Sequence, residues 1–175
     1  QAVRETDGLV VTYDGALIDA TFFSCAAGST ESALAVWGSD VPYLQAVESP
    51  EHEERYEESV TVSASEFAAV LRERYPEIML DGTPETWFGA QTRTAGGGLD
   101  TVEIGGVSLR GTELRTLFSL RSTVMTLTPE PDGVKIATSG YGHRVGMSQY
   151  GANVLAAQGE DFEEILLHYY RNTQL

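Results

Sequence analysis

The stretch from Gly140 to Ala152 constrains this chain more than any other: Gly-Tyr-Gly-His-Arg-Val-Gly-Met-Ser-Gln-Tyr-Gly-Ala. Gly140, Gly142 and Gly146 free the backbone for positive φ and close approach, while His143, Ser148, Gln149, Tyr141 and Tyr150 crowd donors and acceptors into the same positions. A β-like run, Val134 to Thr138, leads in, and a helix-compatible run, Asn153 to Gln158, leads out. The stretch therefore reads as a strand-to-helix turn, a place where a rigid scaffold presents a site. Alternatively, the histidine of a glycine-rich turn bonds only backbone.

The remaining residues fit around that turn as an α+β chain. Asp14-Gly15 between the β-rich runs 9–13 and 16–23 predicts a hairpin with a tight primed turn. Residues 24–30 form a small polar loop, and Ser29 or Thr30 caps a short helix ending at Trp37, with Glu31 in its first turn, where the helix dipole favours a carboxylate. Residues 45–47 read as a short strand ended by Ser49-Pro50. The glutamate-rich run 51–58 reads as solvated surface rather than a metal site around His52, because hard cations need carboxylates converging from a shaped loop.

Residues 59–62 alternate as a strand, and Ser63 with Glu66 makes a capping box for a helix that buries Phe67, Val70, Leu71 and Tyr75 before Pro76 stops it. Residues 78–98, punctuated by Gly82, Pro84, Gly89 and Gly96-Gly97-Gly98, read as a loop-rich excursion. A second hairpin is expected from 101–104 and 107–109 around Gly105-Gly106, then a short helix from Gly111 with Leu114, Leu117 and Phe118 inward and Arg115 outward. Residues 123–128 pair with 133–138, and Asp161 with Glu164 caps a last helix carrying Phe162, Ile165, Leu166, Tyr169 and Tyr170 on one face. No repeat or low-complexity linker divides residues 1–175, which read as a single α+β domain of hairpins and about four short helices.

Charge narrows the function classes. Eleven basic against 26 acidic side chains give −15, which repels nucleic acid and offers no polybasic face to anionic lipid, but suits a glycan. Cys25 stands alone, so no internal disulfide and no multi-cysteine zinc site can form, and it reads as a small buried apolar residue. His52, His143 and His168 lack HExxH-type spacing, so a metallohydrolase ranks last and neither metal nor cofactor is expected. No apolar run approaches the ~20 residues of a membrane span, and Gln1 opens no signal-peptide pattern.

Gly142-His143-x-Val145-Gly146-Met147-Ser148-Gln149-Tyr150-Gly151-Ala152, followed by Ile165-Leu166-x-His168-Tyr169-Tyr170 and Thr173, resembles the carboxy-terminal signature of the stage II sporulation protein D (SpoIID/LytB) family. Further similarity lies upstream, in Phe23-Ser24, Gly28-x-Thr30-Glu31, Val36-Trp37-Gly38, Pro42-Tyr43-Leu44 and Val47-x-Ser49-Pro50, and in the middle, in Gly111-x-Glu113-Leu114-Arg115 with Leu120-Arg121-Ser122. The resemblance implies an extracytoplasmic bacterial cell-wall protein. It also implies lytic transglycosylation of peptidoglycan glycan strands stripped of their peptides. In that reaction a carboxylic acid protonates the glycosidic oxygen and then helps the muramoyl 6-hydroxyl close a 1,6-anhydro ring, so water is not the nucleophile. A noncatalytic wall-binding or amidase-enhancing module, with a cell-wall amidase as partner, is the alternative.

The family's catalytic glutamate belongs to an amino-terminal Gly-Glu motif, and the chain reads as beginning downstream of it. An upstream segment or a second chain is thus an expected partner, and these 175 residues alone are expected to release no anhydro-sugar products. Glu31 and His143 are the catalytic candidates within the chain, and Ser24, Glu31, His143, Arg144, Ser148 and Gln149 the candidate substrate contacts, gathered in one groove where His143 is partly exposed. Arg144 stands where the resemblance leads one to expect glycine. Its planar fork could meet the lactyl carboxylates of denuded strands, or it could point to solvent or pair with an acidic side chain.

Overall fold

Asp14 (φ 49°) and Gly15 (φ 77°) both adopt the left-handed conformation that a two-residue primed turn demands, so β1 (Thr12–Tyr13) pairs antiparallel with β2 (Ala16–Leu17) as expected. The computed structural model describes residues 2–51 and 56–175; His52 lies outside them. A single turn, α1 (Ala2–Glu5), precedes the hairpin. The second arm leaves its partner after Ile18, whose N–H still donates to the Val11 carbonyl (3.2 Å). Its continuation, β3 (Phe22–Phe23), pairs in parallel with residues 147–148 instead.

The next helix, α2 (Ala33–Trp37), is capped by Ser32, whose Oγ accepts from the Ala35 N–H at 3.2 Å. The expected caps are employed elsewhere: Ser29 Oγ donates to the Val47 carbonyl (3.0 Å) and Thr30 Oγ1 accepts from the Val47 N–H (2.9 Å). Glu31 therefore precedes the helix rather than entering its first turn. Residues 45–47 form no strand; the Thr30 and Ser49 N–H groups tie this extended run to the 28–30 loop through Val47 and Gly28 carbonyls.

Two three-stranded antiparallel sheets follow. β4 (Glu58–Ser63) leads into α3 (Ala64–Arg74), where Ser63 Oγ accepts from the Glu66 N–H at 3.2 Å. β5 (Phe88–Arg93), β6 (Leu99–Ile104) and β7 (Val107–Arg110) form one sheet in that order, and α4 (Gly111–Leu117) continues directly from it. β8 (Val124–Glu130) and β9 (Gly133–Ser139) form a hairpin, and β9 is the centre of the second sheet, ordered β4-β9-β8. β5 corrects the expected loop excursion. Register shifts interrupt its pairing and its side chains are mostly exposed, so it shows no hydrophobic alternation.

After the central turn come β10 (Met147–Ser148), α5 (Gln149–Gln158) and α6 (Phe162–Tyr169). The expected capping box is present: Asp161 Oδ1 accepts from the Glu164 N–H at 2.9 Å while Glu164 Oε2 accepts from the Asp161 N–H at 2.9 Å. One apolar cluster, including Phe67, Leu71, Trp87, Ile104, Leu114 and Ile136, lies among the two sheets, α3 and α4. The other, including Ala33, Leu44, Val145, Leu155, Tyr169 and Tyr170, lies among α2, α5 and α6. The mixed α+β class is as expected, and residues 140–146 carry the chain from the first cluster to the second.

Candidate functional site

Backbone pairing, rather than side-chain affinity, brings the separated motifs together. Cys25 and Tyr141 exchange both N–H···O bonds (3.2 and 2.9 Å), the Glu31 N–H donates to the Arg144 carbonyl (2.6 Å), β3 pairs with β10, and the Tyr150 N–H reaches the Ser24 carbonyl (3.1 Å). Ser24 and Glu31 thus run alongside His143 to Gln149.

Arg144 turns inward. Its φ of 66° lies in the left-handed region, and its side chain is fully buried rather than standing at a cleft mouth or in solvent. Nε donates to the Ala26 carbonyl (2.8 Å), Nη2 to the Ser29 and Gly96 carbonyls (2.5 and 2.6 Å), and Nη1 to Glu31 Oε1 (3.1 Å). Burial pushes the guanidinium below its ordinary value, while Glu31 and then Glu51 oppose that shift. The same Glu31 oxygen accepts from Thr94 Oγ1 (2.6 Å) and the Gly98 N–H (3.1 Å); among the described residues Oε2 is buried without a hydrogen-bond partner. The close approach requires glycines: a Cβ at Gly96 would lie 2.7 Å from Glu31 Oε2, and one at Gly98 2.5 Å from Oε1. Glu31 and Arg144 are therefore an interior ion pair joining the 29–31, 94–98 and 144 segments.

A second buried carboxylate, Glu51, departs from the solvated reading of 51–58; residues 52–55 lie outside the described ones, and Glu57 and Glu58 are exposed as expected. Glu51 is 3% exposed: its Oε1 accepts from the Ala26 N–H (2.6 Å) and from Ser148 Oγ, and its Oε2 from Ser49 Oγ (2.6 Å). Ser49 Oγ also meets the Tyr169 hydroxyl at 2.7 Å. Ser148 caps α5 by accepting from the Gly151 N–H (3.2 Å), so its buried hydroxyl is committed to the interior. A Cβ at Gly151 would lie 2.7 Å from Glu51 Oε2 and collide with Tyr169 Oη and Ser49 Oγ. Gly151→Ala is thus expected to lower stability by about 2–3 kcal/mol, measured as a fall in urea midpoint.

His143 remains near the surface, half-buried. Its Nδ1 accepts from the Val145 N–H (3.1 Å) and the ring also bonds the Phe22 backbone, so the imidazole fixes the turn. Burial chiefly, and Arg115 to a lesser degree, hold its pKa below the ordinary histidine value and keep it neutral at pH 7. Its ring packs against Phe23 and Trp37, with centroids 5.7 and 5.4 Å away. On the other side of the turn, Tyr56 packs against Tyr141 and Tyr150, both at 5.5 Å, and receives a hydrogen bond from Ser24 Oγ (3.1 Å). Arg121 lies over the Tyr141 ring (6.0 Å) and pairs with Glu58 (2.9 Å). Trp37 and Tyr141 are each 47% exposed, and Gln149 is exposed.

Of the candidate contacts, Ser24, His143 and Gln149 remain accessible in part or in full, whereas Glu31, Arg144 and Ser148 are enclosed. The exposed rings of Trp37 and Tyr141 were not among the candidates. Each stood in or beside a recognised motif, but which aromatics meet depends on pairing between distant segments. Among the described residues no group of histidine, cysteine, aspartate and glutamate side chains could hold a metal ion, and no helix is long and apolar enough to cross a membrane.

The stage II sporulation protein D of Bacillus subtilis (strain 168) is 37% identical over 177 residues, covering 99% of the chain and 50% of that protein. Its namesake from Bacillus amyloliquefaciens is 38% identical over 176 residues, covering 99% and 49%. The amidase enhancer of Bacillus subtilis (strain 168) is 28% identical over 234 residues, covering 100% of the chain and 32% of that protein. No family model matches the chain.

Proposed function

These residues belong to the stage II sporulation protein D family, over a stretch about half the length of its curated relatives, and we infer that the chain holds peptidoglycan glycan strands for lytic transglycosylation. Its setting is bacterial cell-wall remodelling linked to sporulation, outside the cytoplasm. The observation that carries the binding role is the pair of aromatic clusters flanking the 141–143 turn, Trp37 with His143 and Tyr56 with Tyr141 and Tyr150. Sugar rings present apolar C–H faces and polar edges, so exposed aromatic faces bordered by Ser24 and Gln149 suit them.

Glu31 and Glu51 are both buried, which supports assigning to another group the acid that protonates the glycosidic oxygen. Trp37→Ala should weaken binding of purified glycan strands about tenfold while leaving the urea midpoint nearly unchanged, because it removes an exposed ring. Undiminished binding sinks the aromatic platform. A stably folded Glu31→Gln variant that binds glycan normally but releases no anhydromuramoyl product would instead identify Glu31 as the acid.

A noncatalytic reading is favoured by one observation: the similarity to the amidase enhancer extends over the whole chain. That reading expects stimulation of a cell-wall amidase with no anhydromuramoyl ends, a distinction made by product analysis.

A further inference from the structure

Trp37, His143 and Arg115 come from three elements, α2, the central turn and α4, that converge at one surface. The connection is explicit in the backbone. The Arg121 carbonyl accepts from both Arg115 Nε (3.4 Å) and the Gly142 N–H (3.0 Å), which places the Arg115 guanidinium beside the residue preceding His143. Arg110 ties α4 to α2 by donating to the Ala35 carbonyl at 2.5 Å. Arg115 is half-buried and, among the described residues, has no carboxylate partner.

The two ion pairs between described residues use other arginines. Arg144 is paired with Glu31 in the interior, and Arg121 is paired with Glu58 over the Tyr141 ring. Arg115 donates to the same carbonyl as Gly142, the residue between Tyr141 of one aromatic cluster and His143 of the other, and among the described residues no acid compensates its charge. A neutral sugar gives a guanidinium only hydroxyl and amide oxygens. A sugar carrying a carboxylate gives it an anionic, planar partner for two parallel hydrogen bonds.

Resting on the glycan-binding reading above, we propose that Arg115 is the residue that selects carboxylate-bearing sugar units over neutral ones on the surface between Trp37–His143 and Tyr141–Tyr56. The carboxylate contact that the sequence offered as one alternative for Arg144 thus passes to an arginine on the neighbouring helix. Arg115 acts by recognition, not by taking part in bond making. The ligand chemistry is an N-acetylated oligosaccharide with free carboxylates on its ether-linked side groups. Amide capping of those carboxylates removes the partner and adds bulk at the same spot.

The test measures binding of three probes of equal length to the protein: neutral chito-oligosaccharide, N-acetylglucosamine–muramic acid oligosaccharide with free carboxylates, and the same oligosaccharide with those carboxylates amidated. Wild type should prefer the free-carboxylate probe by about tenfold, and added salt should shrink the preference. Arg115→Gln should abolish it while keeping the affinity for the neutral probe, which also reports that the surface is intact. Arg115→Lys should restore part of it. Equal loss for all three probes in Arg115→Gln, or an unchanged preference, overturns the assignment. Equal wild-type affinity for all three overturns the assignment alone, whereas no affinity for any of them overturns the glycan-binding reading as well.

Discussion

Arg144→Met should unfold about 3–5 kcal/mol more easily than the parent, seen as a lower urea midpoint at an unchanged slope. Methionine fills much of the volume but leaves Glu31 buried without its counter-charge and leaves the carbonyls of Ala26, Ser29 and Gly96 without the donors they now have. Adding Glu31→Gln to Arg144→Met should recover a substantial part of the loss, because no uncompensated charge then remains in the interior. Arg144→Gly loses the same bonds but relaxes a backbone at φ 66°, a relief of about 1 kcal/mol. A single Arg144→Met variant within about 1 kcal/mol of the parent would show that the guanidinium is dispensable to the fold.

The second large effect lies at alkaline pH. Tyr169 and Tyr170 are almost wholly buried, and burial is the main cause that pushes each pKa up to about 12 from the ordinary 10. Below pH 10 the phenols are neutral in both folded and unfolded states, so their contribution to stability is complete. Between pH 10 and 12 the unfolded chain ionises while the folded one resists, so stability declines by up to about 1.4 kcal/mol per pH unit for each ring. Urea midpoints taken from pH 9 to 12 should therefore fall steeply, by an amount on the order of 4–5 kcal/mol in all. Tyr169→Phe removes the bond to Ser49 and should lower stability at neutral pH by about 1 kcal/mol, yet flatten the alkaline decline. A Tyr169→Phe/Tyr170→Phe double variant with the parent's alkaline slope would rule out these two rings as its source.

Features encoded within a few neighbouring residues were legible from the sequence. Asp14-Gly15 and Gly105-Gly106 specify turns needing positive φ at both positions, and Asp161 with Glu164 completes a reciprocal cap; all three occur as expected. The proximity of Ser24 and Glu31 to the His143 turn followed from the family resemblance and is realised by backbone bridges. What the sequence concealed is the direction in which the polar side chains point. Glu51 opens a glutamate-rich run, the usual mark of a solvated surface, but its partners Ala26 and Ser148 lie 25 and 97 positions away. Arg144 occupies a motif position between His143 and Val145, but its four acceptors come from segments 48 to 118 positions away. Burial of an ionisable group is decided by such distant partners, and no local periodicity records them.

The bridges between the 21–31 and 141–150 segments also bear on the order of folding. The β6–β7 and β8–β9 hairpins close short loops, whereas Arg144 reaches Ala26 across 118 positions and Ser148 reaches Ser24 across 124. Chain entropy opposes such distant closure until intervening structure has shortened the effective loop, which makes these contacts late ones. Trp37, His143 and Arg115 can share a surface only once that closure is made. Newly synthesised protein is therefore expected to form its local hairpins and much of its sheet core before the Trp37–His143 surface exists, so that the glycan binding proposed above would be the last property to appear.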